Sequence, residues 1–298
     1  MSRAQVALLP DGRRLHLQDG PIDLVIEAWG TAEAVAVAYR SAADRFVTIL
    51  DELCAELSLL RRAASPEGSA LTGIVARRMH DAVAPFADGI FITPMAAVAG
   101  AVAEEILGAM AAATSLSRAY VNNGGDIALH LAGDQSFRVA MIDRPDRPSL
   151  FGKATVMSHD PVRGIATSGW RGRSFSLGLA DAVTVLAPTA AMADAAATVI
   201  ANAVDLPGYP GILRVPASDL QPDNDLGARL VTRHVPALAP FDIARALDAG
   251  DATARSLRER GLIAAAALHL QGETRLVGID AGNLAPLSPV PKKVIAHA

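Results

Sequence analysis

Apolar and polar positions alternate from Gln5 to Gly30, in QVALLPDGRRLHLQDGPIDLVIEAWG. Pro10-Asp11-Gly12 and Asp19-Gly20-Pro21 cut this run into three. Period-two alternation punctuated by turn residues predicts an antiparallel meander. At Thr31 the period lengthens, and a helix capped by Thr31 is expected to run to about Arg62. Cys54 lies there among Leu50, Leu53, Leu57 and Leu60 and reads as a buried structural thiol, because no charged neighbour is present to lower its pKa. Ser65-Pro66-Glu67-Gly68 is a loop, and a helix is expected over 70–84. The next helix opens at Pro94 and is almost entirely small residues up to Glu104, which predicts burial against a sheet or a second helix.

From Ser117 the period returns to two. RAYVNNGGDIALHLAG, SFRVAMID and KATVMS read as strands, with Pro145 and Pro148 in one connecting loop. GIATSG and ADAVTVLAP follow as strands, then a helix over about 190–203. Two short helices are expected near 241–248 and 251–260, then strands AAAALHL and RLVGI, and an irregular tail from about Pro286. Strands in hairpin-linked groups, with helices between the groups, point to an α+β fold of antiparallel sheets with packed helices. No G-x-G-x-x-G or Walker-type loop occurs.

Composition sharpens this picture. Hydrophobic residues make up 51% of the 298 residues but aromatics only 4%, so Ala, Val, Leu and Ile must fill the core. The net charge of −4 argues against a nucleic-acid partner, which calls for a basic surface. One cysteine permits no intrachain disulfide and no cysteine-based zinc site. The start, MSRAQVALLPDGRR, lacks the apolar stretch of a signal peptide. The most apolar segments are interrupted by Glu104 and Glu105 or by Asp194, so no membrane span and a cytoplasmic protein are expected.

Three motifs could carry chemistry. In Asn122-Asn123-Gly124-Gly125-Asp126 the paired glycines suit a bulge or a ligand lying against the backbone, although Asn-Gly alone reads most simply as a hairpin turn. Ala166-Thr167-Ser168-Gly169 ends a strand with exposed N–H groups and two hydroxyls, a donor cluster suited to anionic oxygens. Arg171 and Arg173 follow and could add charge, or simply be solvated. Asp194 and Thr198 are four residues apart on an apolar helix, so carboxylate and hydroxyl share a face. They would suit Mg²⁺ completed by waters and a phosphate; equally, Asp194 could cap a loop and Thr198 bond back to its own helix. Asp181, before VTV, is a partner for Arg173 or merely exposed. The seven histidines show no metal-binding spacing, and His159-Asp160 with Ser168 lacks a nucleophile elbow.

Taken in order, NNGGD, ATSG, VTV and AD-x-x-x-T resemble the ApbE family over about Phe91–Val204. Its members are flavin transferases that move FMN from FAD onto proteins. PMAAVAGAVAE, GRSFSLGLADAVTV and ADAAATVIANAV are similar to a shorter cytoplasmic branch of that family. The resemblance implies a T-fold-like architecture in which residues 1–285 form one domain of two related sheet-and-helix units, with 286–298 as the tail. It implies a small nucleotide-like ligand, FAD or another flavin nucleotide, at Asn123, Gly124, Gly125, Asp126, Thr167, Ser168, Gly169 and Arg173, with Mg²⁺ on Asp194 and Thr198. The activity implied is a flavin-nucleotide transferase or hydrolase. Two other readings fit the same residues: a binding or carrier module without catalysis, and an enzyme on a pterin- or purine-type ring. The chain departs from the transferases at two places. It has Ala99-Gly100 where they carry Lys-Gly, and SFSLGLADAVTV where they carry a His-Ile-x-Asp-Pro segment.

Overall fold

The computed structural model describes residues 3–142 and 150–278. Its strands are β1 (Gln5–Leu8), β2 (Leu15–Asp19), β3 (Ile22–Trp29), β4 (Arg118–Asn123), β5 (Asp126–Leu131), β6 (Ser136–Ile142), β7 (Leu150–Met157), β8 (Gly164–Ser168), β9 (Ala182–Ala187), β10 (Leu213–Pro216), β11 (Leu230–His234), β12 (Ala265–Leu270) and β13 (Glu273–Val277). The helices are α1 (Ala32–Ala55), the single turn α2 (Leu57–Leu60), α3 (Ile74–Val83), α4 (Val98–Ala113), α5 (Ala190–Ala203), the single turn α6 (Ala217–Leu220) and α7 (Pro240–Glu259). Nine strands form one sheet in the order β1-β2-β3-β4-β5-β8-β9-β12-β13, with every neighbouring pair antiparallel. The fold is α+β, as the alternation of periods predicts. The β6–β7 and β10–β11 pairs stand apart as two-stranded ribbons.

The long helices cover one face of the sheet. Alternate strand residues such as Leu24, Ile26, Val121, Ala128, Ala166, Val183 and Leu268 join the helix residues in the main core. The opposite parity, including Leu129, Ile165 and Leu186, meets Phe137, Val139 and Val156 of the β6–β7 ribbon in a smaller cluster. Thr31 caps α1 as expected, its hydroxyl accepting the Ala34 N–H at 3.2 Å. The stripe Ala38, Ala42, Phe46, Ile49 and Leu53 is then buried.

Small residues set how closely α5 packs. A Cβ on Gly100 of α4 would lie 2.2 Å from the Ala190 carbonyl oxygen, and one on Gly164 of β8 would lie 2.1 Å from that of Thr189. The sparse aromatics and abundant alanine thus translate into helix–helix and helix–sheet contacts at backbone distance. One expectation is corrected nearby. The segments near 241–248 and 251–260 form the single helix α7, which continues through Gly250. A Cβ there would meet Val204 Cγ2 at 2.4 Å and Leu268 Cδ2 at 2.7 Å, so close packing outweighs the helix penalty of glycine.

Pro94–Ala113 is long and apolar enough to cross a membrane by composition alone, with a mean hydropathy of 1.5, contrary to the expectation from Glu104 and Glu105. In the structure it packs against α1, α3 and α5 and strands β4 and β5. Its two glutamates pair with Arg78, and Glu105 also with Arg45 at 2.7 Å. The Pro145–Pro148 loop and the tail from residue 286 lie outside the described residues.

Candidate functional site

β5 and β8 pair only at Ile127–Ile165 and Ala128–Gly164. Beyond these two steps the strands part, and the side chain of Asp126 bridges the gap by accepting the Thr167 N–H at 3.3 Å. A cleft of about 1080 Å³ opens at this point, just above the range of about 300–1,000 Å³ for small-molecule and cofactor sites. It takes in residues of both sheet faces: Ser168 has the parity of the helix-packed Ala166, while Thr167 and Thr184 have that of Ile165 and Leu186.

The structure brings to this cleft all ten residues that the resemblance implies for ligand and metal: Asn123, Gly124, Gly125, Asp126, Thr167, Ser168, Gly169, Arg173, Asp194 and Thr198. The NNGGD segment is the β4–β5 hairpin turn, with Gly124 at φ +65° and Gly125 at φ +114°, so the simple local reading is correct as geometry. The same turn also forms a wall of the cleft. Asn122 Oδ1 accepts the Gly125 N–H at 2.8 Å, and Asn123 Nδ2 donates to the Ala99 carbonyl at 3.1 Å, which ties the hairpin to α4. Arg173 reaches over the turn, its guanidinium occupying the space where a Cβ on Gly124 would lie. Gly169, at φ +154°, lets the chain pass the Asp181 and Ala180 carbonyls, which a Cβ would meet at 2.6 and 2.8 Å. The Thr167 hydroxyl pairs with that of Thr184 at 3.0 Å.

Asp194 and Thr198 lie on the cleft side of α5, and neither local alternative holds as stated. Asp194 caps a neighbouring helix: its Oδ2 accepts the Gly100 N–H at 3.0 Å at the start of α4. Among the described residues the Thr198 hydroxyl has no hydrogen-bond partner, unlike Thr253, which bonds back to Ala249. Asp126 and Asp194 stand close enough to repel. Burial pushes the Asp126 carboxyl up to about 7, opposed by the Thr167 N–H and the charge of Arg173. Burial first, then the Asp126 charge, pushes Asp194 well above the usual carboxylate range, opposed by the N–H groups of Gly100 and Ala99. A cation between such groups would relieve both effects. No group of three or more His, Cys, Asp or Glu side chains forms a metal cage among the described residues. Two hard oxygen donors beside an anion cradle instead match a metal completed by its ligand's phosphates.

Three expectations are corrected. Arg171 does not serve the cleft: its guanidinium stacks on Trp170 at 4.3 Å, and its Nε donates to Asp181 at 2.5 Å. Asp181 is neither exposed nor the partner of Arg173. It is buried and also accepts Trp170 Nε1 at 3.1 Å and the Gln271 N–H at 2.7 Å. Cys54 is exposed, on the cleft wall with Leu50, Leu53 and Leu57. That apolar wall, continued by Val98 and Val102 of α4 and by Met95 just before it, escaped the sequence reading. Its signal was the helical spacing of those leucines, which looked like core. Arg61 and Gln221, also on the lining, gave no signal because they come from segments 160 residues apart. His159 is not among the residues that line the cleft, and its side chain is 78% exposed.

A family model described as AbpE bacteria matches residues 6–276. Among curated proteins the chain is similar to UPF0280 proteins of methanogenic archaea. It is 36% identical to that of Methanopyrus kandleri over 178 residues, 59% of this chain and 66% of the relative. It is 41% identical to that of Methanosphaerula palustris over 140 residues, 44% of this chain and 52% of the relative. The matched region therefore spans about half to two thirds of the length of these relatives. Among solved structures, the apo flavinyl transferase ApbE of Pseudomonas stutzeri aligns with 92% of this chain and 93% of its own, at a TM-score of 0.43 and 12% identity. A point mutant of the flavin transferase ApbE from Vibrio cholerae aligns with 92% and 96%, at 0.45 and 12%. Likenesses this loose bear on neither ligand nor activity.

Proposed function

The chain belongs to the ApbE-like family described as AbpE bacteria, and from that premise we propose that its cleft binds a flavin nucleotide or a related ring-bearing nucleotide together with Mg²⁺. One observation carries the reading. Three segments far apart in sequence, 123–126, 167–169 and 194–198, converge on one cleft with a glycine turn, a strand-end donor cluster and a carboxylate–hydroxyl pair. These are the parts a diphosphate with its metal requires. The apolar wall of Leu50, Leu53, Leu57, Met95, Val98 and Val102 supplies the surface that a fused ring would cover.

The division of labour follows from the geometry. Gly124 and Gly125 let a ligand approach the backbone, and Arg173 above them adds a fixed positive charge. Asp194 and Thr198 would hold Mg²⁺, with Asp126 close by to share the positive field. The metal, when bound, supplies charge neutralisation at the diphosphate and orients its P–O bonds. The reaction class this supports is transfer or hydrolysis at the diphosphate. A second reading, binding with little turnover, is favoured by one specific observation: no histidine is among the described residues that line the cleft.

Calorimetric titration of FAD with and without Mg²⁺ tests the binding. The expected result is affinity that depends on Mg²⁺ in the native chain and loses that dependence in Asp194→Ala. A variant that keeps the dependence overturns the metal assignment. Release of FMN and AMP from FAD separates an enzyme from a carrier. The absorption spectrum of any copurifying ligand, blue for flavin and near-ultraviolet for pterin, separates the ring classes.

A further inference from the structure

Among the described residues four charged side chains line the cleft: Asp126, Asp194, Arg173 and Arg61. The first three belong to the cradle already described. Arg61 follows α2, on the apolar wall beside Leu57 and Leu60, and its guanidinium holds a carboxylate of its own chain. It grips Asp223 in the fork-to-fork arrangement, with Nη1 on Oδ1 and Nη2 on Oδ2 at 3.0 Å, and Nη2 also reaches the Asp223 carbonyl at 3.0 Å. This is the geometry with which arginine recognises carboxylates and phosphates in general.

Asp223 belongs to a strap. The β10–β11 ribbon carries α6 and the turn 221–227 to the cleft, where Gln221 joins the lining. The strap keeps its own shape through internal bonds: Asn224 Oδ1 accepts the N–H groups of Leu226 and Gly227 at 2.7 and 2.8 Å, and Ser218 donates its N–H to the Gly227 carbonyl at 2.9 Å. A second tie, from the Thr93 hydroxyl to Asp225 at 2.5 Å, holds it to the residue preceding Pro94. The Arg61–Asp223 contact is therefore not what folds the strap. The Asp223 side chain is 81% exposed while that of Arg61 is 27% exposed. With its carboxylate this exposed, the pair is screened by salt in spite of its fork geometry, and an anion held deeper in the cleft can displace it.

We infer that Arg61 is a second anion-recognition residue of this cleft, and that Asp223 occupies its guanidinium until an anionic group of the ligand takes its place. The inference rests on the reading of the cleft as a nucleotide site. It adds that the ligand presents a phosphate or carboxylate to the α2 wall as well as to the Gly124–Arg173 cradle. The strap then serves as a gate, released at Asp223 and still held at Asp225.

Opposite substitutions at the two ends of one ion pair test this. Affinities for FAD and for ADP, each with Mg²⁺, are measured in the native chain, Arg61→Gln, Asp223→Asn and the double variant. Hydrogen exchange over 217–229 is followed in parallel. Arg61→Gln removes the whole contact, whereas Asp223→Asn removes only the carboxylate charge and leaves the Asp223 carbonyl on Nη2, so the strap is expected to loosen more in Arg61→Gln than in Asp223→Asn. Binding is expected to move in opposite directions: roughly twofold to fivefold tighter in Asp223→Asn, which removes the competing carboxylate charge from Arg61, and roughly tenfold weaker in Arg61→Gln, which removes a charged donor. The double variant should match Arg61→Gln. Shifts in the same direction, or none, overturn the inference and leave the pair as a structural tie only. Absence of binding by both probes overturns it as well. If ADP shows the opposite shifts while FAD binds no better than ADP, the Arg61 assignment stands and the flavin reading falls.

Discussion

Asp194 of α5 accepts the backbone N–H of Gly100 at the start of α4. Glu104 of α4 returns the contact, its Oε1 accepting the Ala191 N–H at the start of α5 at 3.4 Å. Each helix thus satisfies an N-terminal donor of the other with a carboxylate, where the helix dipole favours negative charge. Asp194 is consequently fixed in place by backbone on the cleft side of α5. The site residue is positioned by the same contact that joins the two helices.

Gly100→Ala should damage stability above all, and by parting α4 from α5 it should also loosen the hold on Asp194. Its Cβ would lie 2.2 Å from the Ala190 carbonyl oxygen and 2.7 Å from the Ala191 nitrogen, both backbone atoms that cannot swing aside. Overpacking of this kind costs about 1–3 kcal/mol or more. Urea unfolding should show that loss with little change in the slope of the transition.

Gly124→Ala should do the reverse. The obstacle there is the end of the Arg173 side chain, which can move, so the folding cost is mainly that of alanine at φ +65°, about 1 kcal/mol. Displacing Arg173 removes its charge from the turn. Nucleotide affinity should fall roughly tenfold while the unfolding midpoint moves little, a split that calorimetry and denaturation together would reveal.

Stability should decline as pH rises through the neutral range. Burial raises the Asp126 carboxyl to about 7, so the folded chain holds a proton that the unfolded chain, with its ordinary carboxylate, has released. Between the unfolded value near 4 and about 7 the native state binds more protons, and the slope of stability against pH is negative. Asp126→Asn should flatten this slope and exceed the native chain in stability at pH 8, by about 1–2 kcal/mol after allowance for solvent in the cleft. Denaturant titrations at pH 5, 6, 7 and 8 measure it; a rising native curve would contradict the assignment.

How much of this was legible in the sequence depended on how local each cause is. The β1–β3 meander, the Thr31 cap and the NNGGD hairpin follow from turn and cap chemistry within a few residues, and they stand where the sequence placed them. The meeting of Asp126, Ser168 and Asp194 was legible only as an implication of the resemblance to the ApbE family, because the three lie in segments far apart in sequence. Cys54 was misplaced because its leucine neighbours look the same whether they face a core or a cleft wall; the difference lies in α4 and the β4–β5 turn, about 40 and 70 residues away. Arg171 and Arg173 are two positions apart in an irregular loop, and only the buried Asp181 decides which one turns inward. The helices expected near 241–248 and 251–260 are one because Val204 and Leu268, unseen from the local sequence, pack against Gly250 between them.

Thr198→Val separates a metal ligand from a packing residue. The Thr198 hydroxyl has no partner among the described residues, and valine keeps its shape, so stability should stay within about 0.5 kcal/mol. If that oxygen holds Mg²⁺, the Mg²⁺-dependent part of nucleotide affinity should drop, while Mg²⁺-free binding is unchanged. Equal losses with and without Mg²⁺ would assign the residue to shape alone.

The last expectation concerns chemistry. The chain should bind its nucleotide yet flavinylate a protein acceptor slowly. Binding draws on backbone approach and oxygen donors, which Gly124, Gly125, Ser168, Asp194 and Thr198 offer at the cleft. Transfer to a hydroxyl also requires a group that takes its proton at hydrogen-bond distance, a contribution of about 10²–10⁴ in rate. The His-Ile-x-Asp-Pro segment of the ApbE transferases has no counterpart in SFSLGLADAVTV. His159 does not replace it: the side chain is exposed on the turn after β7, with Nε2 3.8 Å from Asp160, and it does not line the cleft. Incubation with FAD, Mg²⁺ and a flavin-accepting peptide, followed by mass spectrometry of the peptide, reads the outcome. Little or no FMN adduct at saturating FAD is expected. Rapid stoichiometric addition would show that another cleft group takes the proton, and Asp126, with its carboxyl raised to about 7, would be the first to substitute.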